Sequence, residues 1–446
     1  MITKPKFDPV DAWQPHQPNA TQPWTIRLAA HLLRRAGFGG TQAQLIQAEQ
    51  TGLAATIERL FDVNSAQAYH QEMEISGRLV TTSADANGLA AWWLLRMAKT
   101  PCPLQEKMTL FWHGHFATGA DKVNDSRAML RQNDLLRKHC LAQFQPMVTA
   151  LSRDVAMLIY LDSTENRKTR PNENYARELM ELFCLGPGNY SETDIKEIAR
   201  CFTGWEVRRN QFVFNSYQHD SGQKSFLSVH GNFDGDQAIE AILQQPAAAR
   251  FMAKKLIRFF VFDDEPISDE LAEPIAVALR DSAFDIALAM KRILSSKIFF
   301  SDLSVGKKIK SPVELAIGAL RFFDVSVNLP QLGNRLQRLG QLPLYPPNVK
   351  GWDGGRSWIN ASTILARANL FHEIFNNNSN TYAAGSLAQW VASQPSDPHY
   401  SANWINDFLL AEPLSTAATA ELQQQFRRSP ALAISCLAAL PQFQLN

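Results

Sequence analysis

Two histidines near the middle of the chain have the residue types needed for metal binding or acid–base catalysis. His113 and His115 flank Gly114 at the end of an apolar stretch that also contains Glu106. Glu106 and His113 are about two helical turns apart, so a helix would place both on one face. A regular helix would turn His115 about 200° away from His113. We therefore expect the two histidines to share a metal ion only if the helix ends at Gly114, where glycine allows such an ending.

A pair of carboxylates lies further along the chain. Glu178 and Glu181 are three residues apart and would be neighbours on one helix face, beside an apolar stripe that includes Leu179. Two close carboxylates raise the pKa of one of them unless a cation lies between them. Arg177, Arg200 or a metal ion would serve as that cation.

The third candidate group lies in the one segment where no helical period can be drawn. His219 and Asp220 are adjacent, and Lys224 follows four residues later. Irregular loops carry binding and catalytic residues more often than regular helix faces do. The three side chains are therefore candidates for proton transfer.

Together these segments predict one shared metal site. The proposed ligands are His113, His115, Glu178 and His219. Their side chains are suitable for Zn, Mn or Fe. They come from different helices and a loop, and helical bundles build metal sites from side chains on different helices in the same way. The candidate catalytic residues, which would handle the proton of a bound water, are Glu181, Asp220 and Lys224. The alternative is structural: hydrogen-bonded core histidines, and a salt-bridge network between the carboxylates and nearby arginines.

A basic pair lies beside a glycine-rich turn near the start of the helical pattern. Arg34 and Arg35 precede the turn at 36–40, where glycines would let the backbone approach an anion. No strand precedes this turn and a GxGxxG motif is incomplete, so nucleotide binding is disfavoured. The alternative is a simple helix stop.

The elements that must position these residues are mainly helical. Apolar residues recur at helical spacing through most of the chain, which predicts a multi-helical, bundle-like body. Alternating residues near 205–229 predict a small β or irregular insertion. We expect an extended N-terminal arm at 1–24, a helical domain at 25–380, in one piece or two packed lobes, and a helical C-terminal extension at 381–446.

Composition excludes several classes of protein. Forty-four Lys and Arg against 43 Asp and Glu leave a net charge of +1, which gives no field for nucleic acid. The five cysteines form no CxxC pair, and no stretch is long and apolar enough to span a membrane. Without a recognisable secretory signal we expect a soluble cytoplasmic protein, or a periplasmic one if it is processed or co-exported.

Six segments, in order, resemble a bacterial family of unknown function, domain-of-unknown-function family 1800. They are residues 31–39 (HLLRRAGFG), 111–116 (FWHGHF), 172–183 (NENYARELMELF), 190–205 (YSETDIKEIARCFTGW), 219–220 (HD) and 345–352 (YPPNVKGW). The resemblance covers roughly residues 26–375. It implies a partner that resembles phosphatases and sulfatases, because genes of this family often lie beside genes for such proteins.

Two functional hypotheses follow. The first is a metal-dependent, hydrolase-like enzyme of unknown substrate, built on the metal site above. The second is a non-catalytic scaffold or partner subunit for a phosphatase- or sulfatase-like protein, in which the same polar residues hold helices in register.

The loop that contains Tyr345 and Trp352 is expected to pack against the body near the site.

Overall fold

The computed structural model describes residues 8–83, 86–263, 266–393 and 404–446. As predicted, the fold is mainly α. The helices of the first half are α1 (Pro9–Ala12), α2 (Ile26–Ala36), α3 (Gln42–Phe61), α4 (Gln67–Val80), α5 (Ala86–Lys99), α6 (Pro103–His115), α7 (Ala120–Val123), α8 (Ser126–His139), α9 (Phe144–Ser152), α10 (Val155–Tyr160), α11 (Glu173–Glu178) and α12 (Glu192–Cys201). None of the described helices is both long and apolar enough to cross a membrane.

The second half contains helices of similar length joined by longer loops. They are α13 (Gly235–Leu243), α14 (Pro246–Phe260), α15 (Asp269–Asp281), α16 (Ile286–Ser295), α17 (Pro312–Phe322), α18 (Leu329–Arg338), α19 (Ala361–Phe375), α20 (Leu387–Ala392), α21 (Thr416–Arg428) and α22 (Pro430–Ala439). The described residues include π-helical turns at Leu179–Cys184, directly after α11, and at Ile405–Leu409. Short 3₁₀ turns occur at Asn64–Ala66, Thr81–Ser83, Ser216–Gln218, Gly355–Trp358 and Pro441–Gln444.

The predicted insertion consists of two antiparallel hairpins. In the first, β1 (Trp205–Arg208) pairs with β2 (Gln211–Phe214), and in the second, β3 (Lys224–Phe226) pairs with β4 (Val229–Gly231). A third pair, β5 (Val325–Ser326) and β6 (Thr381–Tyr382), joins two distant loops. The described strands are therefore local additions to a helical body.

Local sequence signals explain where several helices begin. Thr41 caps α3 in a capping box with Gln44, as the sequence predicts, and Ser311 caps α17 in the same way with Glu314. Each box satisfies backbone N–H groups that the first helical turn leaves free. The cap at Ser311 also fixes the position of the Glu314 carboxylate.

One continuous hydrophobic core joins the N-terminal segment, the helical body and the C-terminal helices. The arm predicted to be extended contains the short helix α1, and Trp13 after it is buried and donates a hydrogen bond to the Leu271 carbonyl. Close packing pairs α14 with α15, and α19 with α22. The two ends of the described chain are thus part of one packed structure.

Helix α6 passes through the centre of this core. Even its charged residues are buried, among them Glu106 and Lys107. Glu106 accepts hydrogen bonds from Trp93 Nε1 and from the guanidinium groups of Arg96 and Arg137. Burial by itself would raise the pKa of Glu106, but the two arginines outweigh it and lower this pKa to about 2. An ionised buried carboxylate therefore ties α6 to α5 and α8.

The proline- and glycine-rich loop at 341–355 packs against the end of α6, as expected. The Leu344 N–H donates to His113 Nε2 over 3.0 Å, and Trp352 contacts the His113 ring. Gly351 has φ +81°, and a Cβ at this position would lie 2.1 Å from the Gly114 carbonyl oxygen. Only glycine fits so close an approach of two backbones. Gly351 thus allows the loop to close one side of a cavity.

Candidate functional site

A cavity of about 570 Å³ opens between the end of α6, one face of α14 and the 341–355 loop. This volume lies in the range of small-molecule sites, roughly 300–1,000 Å³. The apolar part of its wall is aromatic and comes from Phe111, Phe251, Phe259, Trp352 and Trp358. The polar part comes from His115, Lys254, Lys255, Arg258, Asp263, Ser311, Glu314, Gln341, Lys350 and Asp353.

The basic side chains of the cavity come mainly from α14. Lys255 lies over the Phe251 ring, 5.2 Å from its centre. Burial, with the positive charges of Arg258 and Lys350, lowers the pKa of Lys255 to about 8. Among the described residues, neither Lys255 nor Arg258 has a carboxylate within ion-pairing distance, whereas Lys254 pairs with Asp269 and Lys350 with Asp353. Lys255 and Arg258 therefore line the cavity without an ion pair to any carboxylate of the described residues.

The buried carboxylates of the wall are already paired with other lysines. Glu314 accepts a short hydrogen bond from Lys107, and Lys308 lies 3.6 Å from its second oxygen. Asp263 lies 3.9 Å from the same Lys308. Burial alone would raise the pKa of Glu314, but Lys107 and Lys308 more than offset it and hold this pKa far below its ordinary value. Glu314 therefore stays ionised and already paired. Burial raises the pKa of Asp263, against the charges of Lys308, Arg35 and Arg258.

Among the described residues that line the cavity, two have a buried side-chain nitrogen without a hydrogen-bond partner: His115, at Nδ1, and Trp352, at Nε1. His115 Nε2 lies 2.9 Å from the Phe183 carbonyl oxygen, which can only accept, so this nitrogen carries the proton. Burial and the nearby charge of Lys255 keep the pKa of His115 well below its ordinary value. The neutral ring therefore leaves Nδ1 as a free acceptor, and Trp352 supplies a free donor.

His113 has a different environment from that of His115. Helix α6 continues to His115 and does not end at Gly114, so the geometry needed for both histidines to share an ion is absent. The His113 ring packs edge-on against Trp93, and its Nε2 lone pair accepts the Leu344 N–H. Burial lowers the pKa of His113 to about 3. That nitrogen cannot also coordinate a metal in this arrangement.

Glu178 and Glu181 are half-buried at the start of the π-helical turn after α11. Burial, followed by the charge of Glu181, raises the pKa of Glu178. Glu181 accepts a hydrogen bond from Tyr190 over 3.1 Å. Arg177, expected beside them, forms its ion pairs with Glu192 and Glu173 instead.

The third group of predicted site residues holds the β insertion in place. His219 Nδ1 lies 2.8 Å from the Thr203 carbonyl oxygen, and Asp220 forms an ion pair with Arg200 at 2.7 Å. Lys224 is buried and donates to the carbonyls of Asp220 and Gly222 and to Asn232. These contacts give all three residues a structural role. Catalytic roles for Asp220, Lys224 and Glu181 stay predictions.

The structure does not bring the four predicted metal ligands together. Within residues 8–83, 86–263, 266–393 and 404–446, no group of three or more His, Cys, Asp and Glu side chains is placed to hold a metal ion. Of the predicted ligands, only His115 lines the cavity. The Zn, Mn or Fe site stays a prediction from the sequence.

The cations of α14 are not among the site residues predicted from the sequence. It contains Arg250, Lys254, Lys255 and Arg258 and no acidic residue. On an exposed helix face, acids at i±3 or i±4 usually accompany such a series. The lack of acidic residues in α14 is therefore the sequence feature that could have indicated a site for an anion.

A family model described as a protein of unknown function, DUF1800, matches residues 31–445. The chain belongs to the DUF1800 family. The match extends beyond the six segments of resemblance and includes α20, α21 and α22. No curated protein and no solved structure matches the chain.

Proposed function

We propose that this DUF1800 protein binds a small organic anion in the cavity beside α14. The observation that carries the proposal is the pair Lys255 and Arg258, which face the cavity without a carboxylate partner in the described structure. Lys255 is partly buried, so its charge is costly without a counter-ion, and a bound anion would supply one. Arg258 is exposed and adds positive charge to the same lining.

The aromatic wall favours an anion with a planar or apolar body. The aromatic residues come from α6 (Phe111), α14 (Phe251 and Phe259), the 341–355 loop (Trp352) and the 3₁₀ turn after it (Trp358). Aromatic side chains contribute large apolar contact area and stack on flat groups. The expected ligand class is therefore an organic molecule that carries a phosphate, sulfate or carboxylate group.

The two unpartnered polar atoms favour a ligand that also bears a hydroxyl or similar polar group. Trp352 Nε1 donates, and His115 Nδ1 accepts. The Phe183 carbonyl fixes the tautomer of His115 and its surroundings keep the ring neutral, so Nδ1 is the proposed acceptor for a ligand hydroxyl. The cavity thus supports binding directly and acid–base chemistry at one residue.

The proposal is tested by calorimetric titration with phenyl phosphate, phenyl sulfate and benzoate, with benzyl alcohol as the neutral analogue. We expect at least one of the anions to bind and the neutral alcohol to bind at least tenfold more weakly, or about 1.4 kcal/mol less favourably. The variant Lys255→Met with Arg258→Gln should weaken binding by at least the same factor. Lys138→Met, on an exposed lysine at the end of α8, is the matched control.

Two results would contradict the proposal. One is the absence of binding for all three anions to folded wild-type protein. The other is equal affinity of wild type and the double variant, with circular dichroism showing both to be folded.

The metal-dependent hydrolase and the phosphatase- or sulfatase-like partner remain separate proposals from the sequence. Elemental analysis of purified protein by mass spectrometry tests the first, since a resident Zn, Mn or Fe should be present at one ion per chain. Stoichiometric co-purification tests the second.

A further inference from the structure

The β1–β2 hairpin has one edge that no other strand of the described chain pairs with. Residues 164–166 lie along the outer side of β1, where the Asn166 N–H donates to the Trp205 carbonyl over 3.4 Å. The Val207 N–H donates to the Thr164 carbonyl over 3.1 Å on the same side. β1 therefore has neighbours on both sides, whereas β2 has only β1 among the described strands. The outer side of β2 is the open edge of this small sheet.

The backbone groups on the open edge belong to Phe212 and Phe214. Opposite residues of an antiparallel pair alternately bond each other and point their N–H and C=O groups away from each other. Val207 and Trp205 point theirs towards residues 164–166. Their cross-strand partners, Phe212 and Phe214, therefore point theirs outwards. Within the described residues no hydrogen bond reaches these groups, so two donors and two acceptors are open to another strand.

Exposed aromatic side chains lie on β2 and just beyond it. Phe214 is 50 % exposed and packs edge-on against the His219 ring, with the ring centres 5.4 Å apart. Tyr217 is 77 % exposed, and the Lys168 ammonium lies 4.7 Å from its ring centre. Aromatic side chains pair favourably with β-branched and aromatic residues of a neighbouring strand. The open edge thus offers side-chain contacts as well as backbone groups.

The open edge lies between two exposed cations. Arg209 is in the turn that leads into β2, and Lys168 lies beyond the other end of β2, beside Tyr217. Within the described residues neither cation forms an ion pair. The acidic side chains of Glu165 and Glu206 each pair with an arginine two residues further along the chain. The unpaired charge at both ends of β2 is therefore positive.

We propose that β2 binds an extended, acidic segment of a partner protein as an added β-strand. Main-chain hydrogen bonds give such complexes their affinity, and Arg209 and Lys168 favour acidic residues near both ends of the added strand. Alternating N–H and C=O groups match a peptide backbone and not a nucleic acid. A second copy of this chain is disfavoured, because antiparallel pairing of two β2 strands would bring Arg209 of each copy towards Lys168 of the other. Neither cation lines the cavity beside α14.

Fluorescence anisotropy with labelled synthetic peptides tests the proposal. The acidic probe has alternating valine and threonine in its centre and two glutamates at each end. One control peptide has lysines in place of the glutamates, and a second has prolines throughout its centre, which removes the N–H groups that a ladder needs. We expect the acidic probe to bind wild-type protein at least roughly tenfold more tightly than either control peptide, and to lose affinity as salt is added.

The variant Phe214→Pro tests the open edge itself, because the Phe214 N–H points outwards and its removal leaves the ladder to β1 in place. Phe214→Leu, which keeps this N–H, is the matched control. We expect Phe214→Pro to weaken binding of the acidic probe at least roughly tenfold and Phe214→Leu to weaken it much less. In the wild type, where no substitution disturbs folding, the bound probe should slow hydrogen exchange at Phe212 and Phe214.

Three results would overturn the proposal. One is equal binding of the acidic probe and either control peptide, or no binding of the acidic probe at all. Another is equal affinity of folded Phe214→Pro and Phe214→Leu for the probe, or unchanged exchange at Phe212 and Phe214 in wild type saturated with it. The third is a dimer in sedimentation velocity that Phe214→Pro dissociates, because β2 would then pair with a second copy of this chain.

Discussion

Replacement of Glu106 by glutamine should destabilise the protein by about 3 kcal/mol or more. The pKa of this carboxylate falls from an ordinary 4.5 to about 2 in the folded state. Each tenfold change in proton affinity is worth about 1.4 kcal/mol, so the ionised group contributes about 3 kcal/mol. Removing one member of a buried ion pair costs about 3–5 kcal/mol, because the partner charge stays buried. Here two arginines, Arg96 and Arg137, would lose their counter-ion.

The measurement is the free energy of unfolding in urea, followed by circular dichroism. Glu58→Gln is the control, because Glu58 pairs with Lys291 at the surface, where such a pair is worth about 0–1 kcal/mol. The folded pKa is depressed, so the advantage of wild type over Glu106→Gln should be complete above about pH 4.5 and decrease as the pH falls towards 2. A loss below about 1 kcal/mol at neutral pH, or an advantage that does not change with pH, would refute this reasoning.

Three further outcomes are expected. Gly351→Ala should destabilise the protein by several kcal/mol more than Gly354→Ala, measured by urea unfolding, because both have positive φ but only at Gly351 would a Cβ collide with backbone. Phenyl phosphate binding should weaken as the pH rises through about 8, where Lys255 loses its proton, as followed by calorimetry. Lys224→Met should increase amide hydrogen exchange in the β insertion while leaving phenyl phosphate affinity unchanged. A loss of phenyl phosphate affinity in this variant would instead place Lys224 in the binding site.

Helical periodicity was sufficient to predict most of the fold, and it failed where the apolar signal is weak or short. Helix α4 was missed because Met73 and Gly77 are its only buried residues. Helix α10 has six residues, too few to establish a period. Helix α11 ends at Glu178 and the chain continues as a π-helical turn, a change of backbone hydrogen bonding that leaves no mark in the apolar pattern.

The candidate site was less predictable, because it depends on pairings between residues far apart in sequence. His115 could be predicted as a site residue from the sequence, because it is a histidine and follows Gly114 directly. Lys255 is a candidate anion-binding residue only because Glu314, which also lines the cavity, is already paired with Lys107. The Glu314–Lys107 pair joins helices about two hundred positions apart in the sequence. No local pattern indicates which buried carboxylate is already paired. The three-dimensional arrangement was needed to identify the unpaired cations.

The most direct test of organic-anion binding is a crystal structure of the protein with 4-iodophenyl phosphate, because iodine locates the ligand by anomalous scattering. We predict an iodine peak against the aromatic wall of the cavity, with the phosphate within hydrogen-bonding distance of Lys255 and Arg258. A cavity without ligand at saturating concentration, or an iodine peak elsewhere on the protein, would contradict the account.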